Sequence, residues 1–192
     1  MNFHRLKITF NSPVIIGFTG ICLVSLLLNV ITQGMTNAML FSVYRSSLSE
    51  PQTYLRFIGH VFGHANWEHF IGNIMLILVV GPLLEEKYGS GAIASVIVTT
   101  ALVTGIVHWL LFPGTMLLGA SGVVFAFILL SSFTSMKEGE IPLTVILIAC
   151  IYIGEQIYQG MLVKDNISNL THILGGIVGA CFGSTLNHRK RM

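Results

Sequence analysis

The chain has 192 residues, 53% of them hydrophobic and only 9% charged, against roughly 25% charged residues in soluble domains. Ten basic and eight acidic side chains cannot cover a water-solvated globule of this size, so a soluble fold is excluded and the main solvent has to be lipid. The formal net charge of +2 comes from short clusters near the two ends rather than from a basic stripe, which speaks against nucleic-acid binding.

Charge-free runs predict six transmembrane helices in one integral-membrane domain, residues 1–192, at about 13–33, 68–86, 91–112, 119–136, 141–158 and 168–187. The first run carries no Lys, Arg, Asp or Glu from residue 8 to residue 44. It is too long for a signal peptide and no small-x-small cleavage site follows it, so it is expected to stay in the protein. The second closes at Glu85-Glu86-Lys87. From there to Lys137 no charge occurs. One helix of that length would exceed twice the bilayer thickness, so the chain must fold back, and Pro113-Gly114 is the natural break. The fifth span is the weakest in hydropathy and has to continue past Glu155. Residues 34–67 form a loop long enough to have structure of its own, with an amphipathic mixture suited to the membrane interface.

Lys and Arg set the orientation. With the N-terminus cytoplasmic, Arg5, Lys7, Lys87, Lys137, Arg189, Lys190 and Arg191 lie inside, against Arg45, Arg56 and Lys164 outside. Both termini are therefore expected in the cytoplasm, with the long loop outside. Cys22, Cys150 and Cys181 fall within apolar runs and read as small buried hydrophobes rather than a disulfide framework.

Polar side chains at membrane depth are costly, and each calls for a reason. They are few: His69 and Asn73 in the second span, His108 in the third, Ser121 in the fourth, Glu155 in the fifth and His172 in the sixth. Ser121 is 16 residues before Lys137, His172 is 17 before Arg189, and Asn73 and His69 are 14 and 18 before Lys87. At 1.5 Å per residue all four lie roughly 21 to 27 Å above the inner boundary, just below the outer surface of a bilayer about 30 Å thick. A serine and a histidine at one level are the minimum for nucleophilic catalysis, the imidazole taking and returning the hydroxyl proton. Gly119-Ala120-Ser121-Gly122 opens a helix with small residues, placing backbone N–H groups and the positive helix end beside the hydroxyl. His69 and Asn73, four apart, share a helix face and can both donate to a developing oxyanion. Gly175, Gly176, Gly179 and Gly183 follow His172 in small-xxx-small spacing that lets a neighbouring backbone approach. Phe125, one turn after Ser121, is placed to pack on the imidazole.

In this order these residues resemble the rhomboid family of intramembrane serine proteases. The matching pieces are Leu55-Arg56 in the long loop, the stretch from His64 through Asn66, Trp67, His69 and Gly72 to Asn73, then Glu86-Lys87-Tyr88-Gly89-Ser90, Gly119-Ala120-Ser121-Gly122, and His172 with its glycines. The resemblance covers essentially the whole chain. It implies a six-helix rhomboid-like bundle with Ser121 as nucleophile, His172 as general base, His69 and Asn73 in the oxyanion hole, and Gly119, Gly122, Phe125 and His64 in support. It also implies transmembrane protein substrates, a lipid-bilayer setting, and no cofactor or metal. Three positions depart from the family pattern: Leu55 stands for a Trp, Phe125 for a frequent Tyr, and Thr171 for a small residue. A short chain of this kind is expected in a bacterial inner membrane.

Other readings fit less well. Ser121 alone would be an ordinary helix N-cap. His60 and His64 are expected to hydrogen-bond loop backbone, His108 beside Trp109 to anchor at the interface, and Glu155 to lie at the outer interface. The spacing of His64, Glu68 and His69 matches neither zincin pattern. A transporter would need a polar path continuing inward, and the inner halves of the spans are apolar. Asp165, seven residues before His172, is poorly placed as a third catalytic member, so a Ser–His dyad is expected. The closest alternative is a non-proteolytic rhomboid-like protein that binds membrane clients.

Overall fold

The computed structural model describes residues 9–135, positions 140, 143–144, 146–148, 150–151 and 154, and residues 166–189. Among these residues it is nearly all helical. The order is α1 (Pro13–Ile31), α2 (Met35–Met39), α3 (Pro51–Gly59), a 3-10 turn (His60–Phe62), α4 (Trp67–Tyr88), α5 (Ser90–Leu111), α6 (Ser121–Ser132), a 3-10 turn (Phe133–Ser135) and α7 (Asn166–Arg189). Three of them, α1, α4 and α5, are long and apolar enough to cross a membrane, and α6 is a shorter apolar helix. The fifth predicted span lies largely outside the described residues, although the positions described between 143 and 154 are helical.

Each long helix buries only a stripe. On α1, Ile15, Phe18, Cys22 and Leu26 face the core, while Ile21, Val24, Leu28 and Ile31 are exposed. Left in water, these side chains would form a contiguous apolar patch, whereas lipid solvates them without cost. The core joins this stripe to Phe70, Ile74 and Ile77 of α4, Ile93, Val96 and Ile97 of α5, and Val123, Val124 and Phe127 of α6.

The first turn of any helix leaves N–H groups without intrahelical partners. In α1, Pro13 supplies the pre-set φ at the start, but the N-cap Ser12 makes no side-chain cap. The buried Glu85, near the C-terminal end of α4, does this instead. Its Oε1 accepts from Val14 N and its Oε2 from Ile15 N, both at 3.0 Å, and Ser90 Oγ donates to Oε1 at 2.7 Å. One carboxyl group thus joins α1, α4 and the start of α5.

The loop between α1 and α4 is a folded unit. Val43 and Leu117 exchange two backbone hydrogen bonds of 2.9 Å in an isolated antiparallel bridge, which ties the loop to the segment leading into α6. Arg56 is buried, donates from Nε to Met39 O at 3.0 Å and lies 4.5 Å from the Tyr44 ring centroid. Arg45 lies 4.1 Å from the Trp109 ring centroid and donates to Trp109 O, while Trp109 Nε1 donates to Ser46 O at 3.1 Å.

Several expectations need correction. His108 is not an exposed interface anchor: it is buried, with Nε2 3.2 Å from Thr115 O, because the α5–α6 connection folds over it. His60 reaches Ala101 O in α5 at 3.1 Å rather than loop backbone, whereas His64 Nδ1 does bond within the loop, 3.2 Å from Phe62 O. All three cysteines are free, but only Cys22 is buried, and Cys150 and Cys181 are exposed on the surface of the chain. Both of these outer positions suit a small apolar side chain against lipid.

Candidate active site

Helix α6 begins at Ser121 rather than at residue 119, because Gly119 has φ +127, a conformation L side chains rarely adopt. Its N–H donates to His60 O at 2.9 Å, which turns the chain sharply before the helix. A Cβ on Gly119 would lie 2.7 Å from both Cε1 and Nε2 of His69 and 3.9 Å from Asn73 Nδ2. The absent side chain is therefore what lets two polar groups of α4 close on the turn that opens α6.

On the α4 side, Asn66 caps the helix by accepting His69 N at 2.8 Å. The following turn points His69 and Asn73 the same way, as their spacing requires. Asn73 is 8% exposed and its Nδ2 is buried without a hydrogen-bond partner. A buried donor left open costs about 1–3 kcal/mol, and here it faces the Gly119 turn.

Ser121 does not cap α6. Ala120 holds the N-cap position and no side chain caps the helix, so the ordinary structural use of this serine is not the one found. Beyond it, α6 and α7 meet backbone to backbone. A Cβ on Gly175 would fall 2.1 Å from Gly122 O, and one on Gly179 would fall 2.1 Å from Ala126 O. This seam carries His172, one turn before Gly175, to α6, where its ring lies 4.3 Å from the Phe125 ring at an interplanar angle of 38°. A Cβ on Gly122 would touch the methyls of Thr171, Thr104 and Thr100 at 3.4 to 3.6 Å, so α5 backs the seam.

His64 is fully buried, its ring 5.1 Å from that of His69 and 5.4 Å from that of Phe70. Burial pushes its imidazole down to about 4, helped by the neighbouring His69 and opposed by the Phe62 carbonyl. Burial likewise pushes His60 down to about 4. Both rings are thus neutral around pH 7.

The predicted residues fall into two groups. His69, Asn73 and Gly119 meet at the α4–α6 corner, with His64 behind them. Phe125 and His172 meet across α6 and α7, and Gly122 with Gly175 joins the groups next to Ser121. Glu155 and Asp165 lie outside the described residues. Among the described residues no three His, Cys, Asp or Glu side chains are grouped to hold a metal. Sequence reasoning missed His60 as the residue that holds the Gly119 turn. It acts there through a main-chain carbonyl, which leaves no side-chain signal.

A family model, the Rhomboid domain, matches residues 51–189, well over half of the chain. The chain is 31% identical over 144 residues to the rhomboid protease GlpG of Salmonella choleraesuis strain SC-B67, covering 71% of this chain and 50% of that protein. It is 28% identical over 160 residues to Rhomboid-related protein 2 of Mus musculus, covering 72% and 53%. It is 26% identical over 136 residues to the chloroplastic Rhomboid-like protein 11 of Arabidopsis thaliana, covering 70% and 46%. The chain spans about half the length of these curated relatives. The family match runs from α3 to the end of α7 and takes in every residue that converges at the corner and the seam; the chain belongs to the rhomboid family.

Proposed function

We propose that this protein is an intramembrane serine endopeptidase that cleaves membrane proteins in or near their transmembrane segments. The carrying observation is the corner at Gly119, where a side chain's absence admits His69 and the open amide of Asn73 beside the first residue of α6.

In this reading Ser121 Oγ attacks the substrate carbonyl carbon as His172 takes the hydroxyl proton. The carbonyl electrons move onto oxygen, and His69, Asn73 and the Ser121 backbone N–H donate to that oxyanion. His172 then protonates the amide nitrogen, the C–N bond breaks and the amine leaves. Water, deprotonated by His172, attacks the acyl-enzyme; the acyl C–O bond then breaks as His172 returns that proton to Ser121 Oγ, releasing the acid and restoring both groups. The ring of Phe125 packs on the imidazole and restricts its rotamers. A helical substrate hides its carbonyls in intrahelical bonds, so it must present an unwound stretch first. No cofactor is needed for these steps.

The same reading takes six crossings with both termini in the cytoplasm and the site opening outward. In support, Gly122, Ala126 and Phe133 of the α6 segment approach Gly175, Gly179 and Gly183 of α7 in the same order. Helices α6 and α7 therefore run parallel, which calls for a return crossing between them. The setting this reading takes is a bacterial inner membrane, and the relatives include chloroplastic and animal proteins as well as bacterial ones.

The test is cleavage of a fluorogenic single-span substrate, with serine-directed phosphonate labelling, by wild type and Ser121→Ala in detergent. Wild type is expected to cleave and be labelled, and a monodisperse Ser121→Ala to do neither. A wild type that is inert in both assays, in detergent and in liposomes, would bring the client-binding reading forward. Asp165→Asn is expected to retain near-full activity, since a dyad needs no acid; loss of activity with an intact fold would overturn the dyad.

A further inference from the structure

His64 is held from several sides although it belongs to the loop before α4 and to no span. Its carbonyl accepts the Asn37 side-chain amide at 2.9 Å, and its Nδ1 lies 3.2 Å from Phe62 O. A carbonyl only accepts, so Nδ1 carries the hydrogen and Nε2 is a bare acceptor. That Nε2 is buried without a hydrogen-bond partner. An apolar ring would fill the same space without this cost of about 1–3 kcal/mol, so what the position supplies is an aromatic ring whose orientation the Nδ1 bond to Phe62 O fixes.

The neighbour with chemistry is His69. The two imidazoles sit edge to face, 5.1 Å apart at 65°, while the Cε1–Nε2 side of His69 is turned to Gly119. Among the described residues no hydrogen bond reaches the His69 ring, which is held by packing. The ring of His64 is the aromatic ring packed against it. Because burial keeps His64 uncharged around pH 7, it adds no cation that would repel a charged His69.

We propose that His64 is a positioning residue for His69: clamped by the Phe62 carbonyl and the Asn37 amide, its ring is the wall that keeps Nε2 of His69 aimed at the Gly119–Ser121 turn. The inference rests on the protease reading and adds to it the residue that orients the side-chain oxyanion donor.

The test uses the full chain with the single-span substrate, and compares wild type with His64→Ala, His64→Phe, His69→Ala and the double variant His64→Ala/His69→Ala. An oxyanion donor acts in the transition state, so His64→Ala is expected to lower kcat about tenfold with KM within about twofold. His64→Phe, which restores the wall, is expected to recover activity to within about threefold of wild type. The double variant is expected to be no slower than His69→Ala, because His64 acts only through His69. A further tenfold loss in the double variant, or an effect on KM alone, would overturn the proposal. If His69→Ala is below detection, the side-chain 15N resonances of His69 decide: they must move in His64→Ala, and unchanged resonances overturn it. If His64→Ala does not fold, a folded His64→Phe slower than wild type by more than about tenfold overturns it. A wild type that neither cleaves nor is labelled removes the protease reading itself, an outcome distinct from all of these.

Discussion

Two polar side chains of α4, Asn73 and Glu85, are buried to a similar degree and treated in opposite ways. Glu85, near the C-terminal end, accepts from Val14 N, Ile15 N and Ser90 Oγ. Asn73, one turn after His69, keeps a buried Nδ2 with no partner. The Glu85 carboxyl group is used up by the fold: it closes the open end of α1 and pins the α4–α5 corner. The Asn73 amide is left open where Gly119 makes room for it. Burial alone therefore does not mark a functional group in a membrane protein. An open donor is a candidate where other polar groups and a gap meet it, as His69 and Gly119 do at Asn73, since Ser25, Thr100 and His108 also keep buried polar atoms without partners.

The comparison predicts a dissociation between stability and activity. The largest effect is expected from Glu85→Ala, which strands two first-turn N–H groups and a hydroxyl in a lipid-excluded corner. The loss should be about 3 kcal/mol or more, read as a large fall in melting temperature in detergent, with the molecules that stay folded still labelled at Ser121. A normal melt would break the contrast. Next, Asn73→Ala removes a donor the fold does not use. Its melting temperature should be unchanged or slightly raised, while kcat falls about a hundredfold, as for loss of one oxyanion donor; a melt that falls with activity would place Asn73 with Glu85.

The smallest effect concerns acid. His60 and His64 are held below their ordinary value, to about 4, so the unfolded chain binds protons that the folded one refuses. Stability is then full above the ordinary histidine value near 6.5 and falls as pH drops from there toward about 4. Near pH 5.5 the loss is about 1 kcal/mol per histidine. Melting curves at pH 7.5 and 5.5 would detect it, and His64→Phe should abolish one part of the difference. Equal melting at both pH values would mean that neither ring is shielded from protonation.

The spans and the site candidates differ in how openly they are written in the chain. Helices α1, α4 and α5 were legible because lipid demands a continuous apolar run, and such a run is a one-dimensional signal. The pairing of His69 with Asn73 was legible for a similar reason, since four residues make one turn and one face. The α6 start was misplaced by two residues because small residues look helical until the Gly119 φ is known. The role of Glu85 was invisible, since its partners at Val14 and Ile15 are 70 or more residues away and nothing local announces them. The burial of His108 and the bond from His60 to Ala101 were missed likewise, as both depend on which helix lies opposite.

By itself the sequence determined the solvent and the long helices, because each follows from local composition and the fixed rise of a helix. The tertiary structure decided which polar groups are consumed by the fold and which stay open, and how closely α6 and α7 approach. Those outcomes depend on distances between segments far apart in the chain. At Gly119, Gly122 and Gly175 they turn on the absence of a single Cβ.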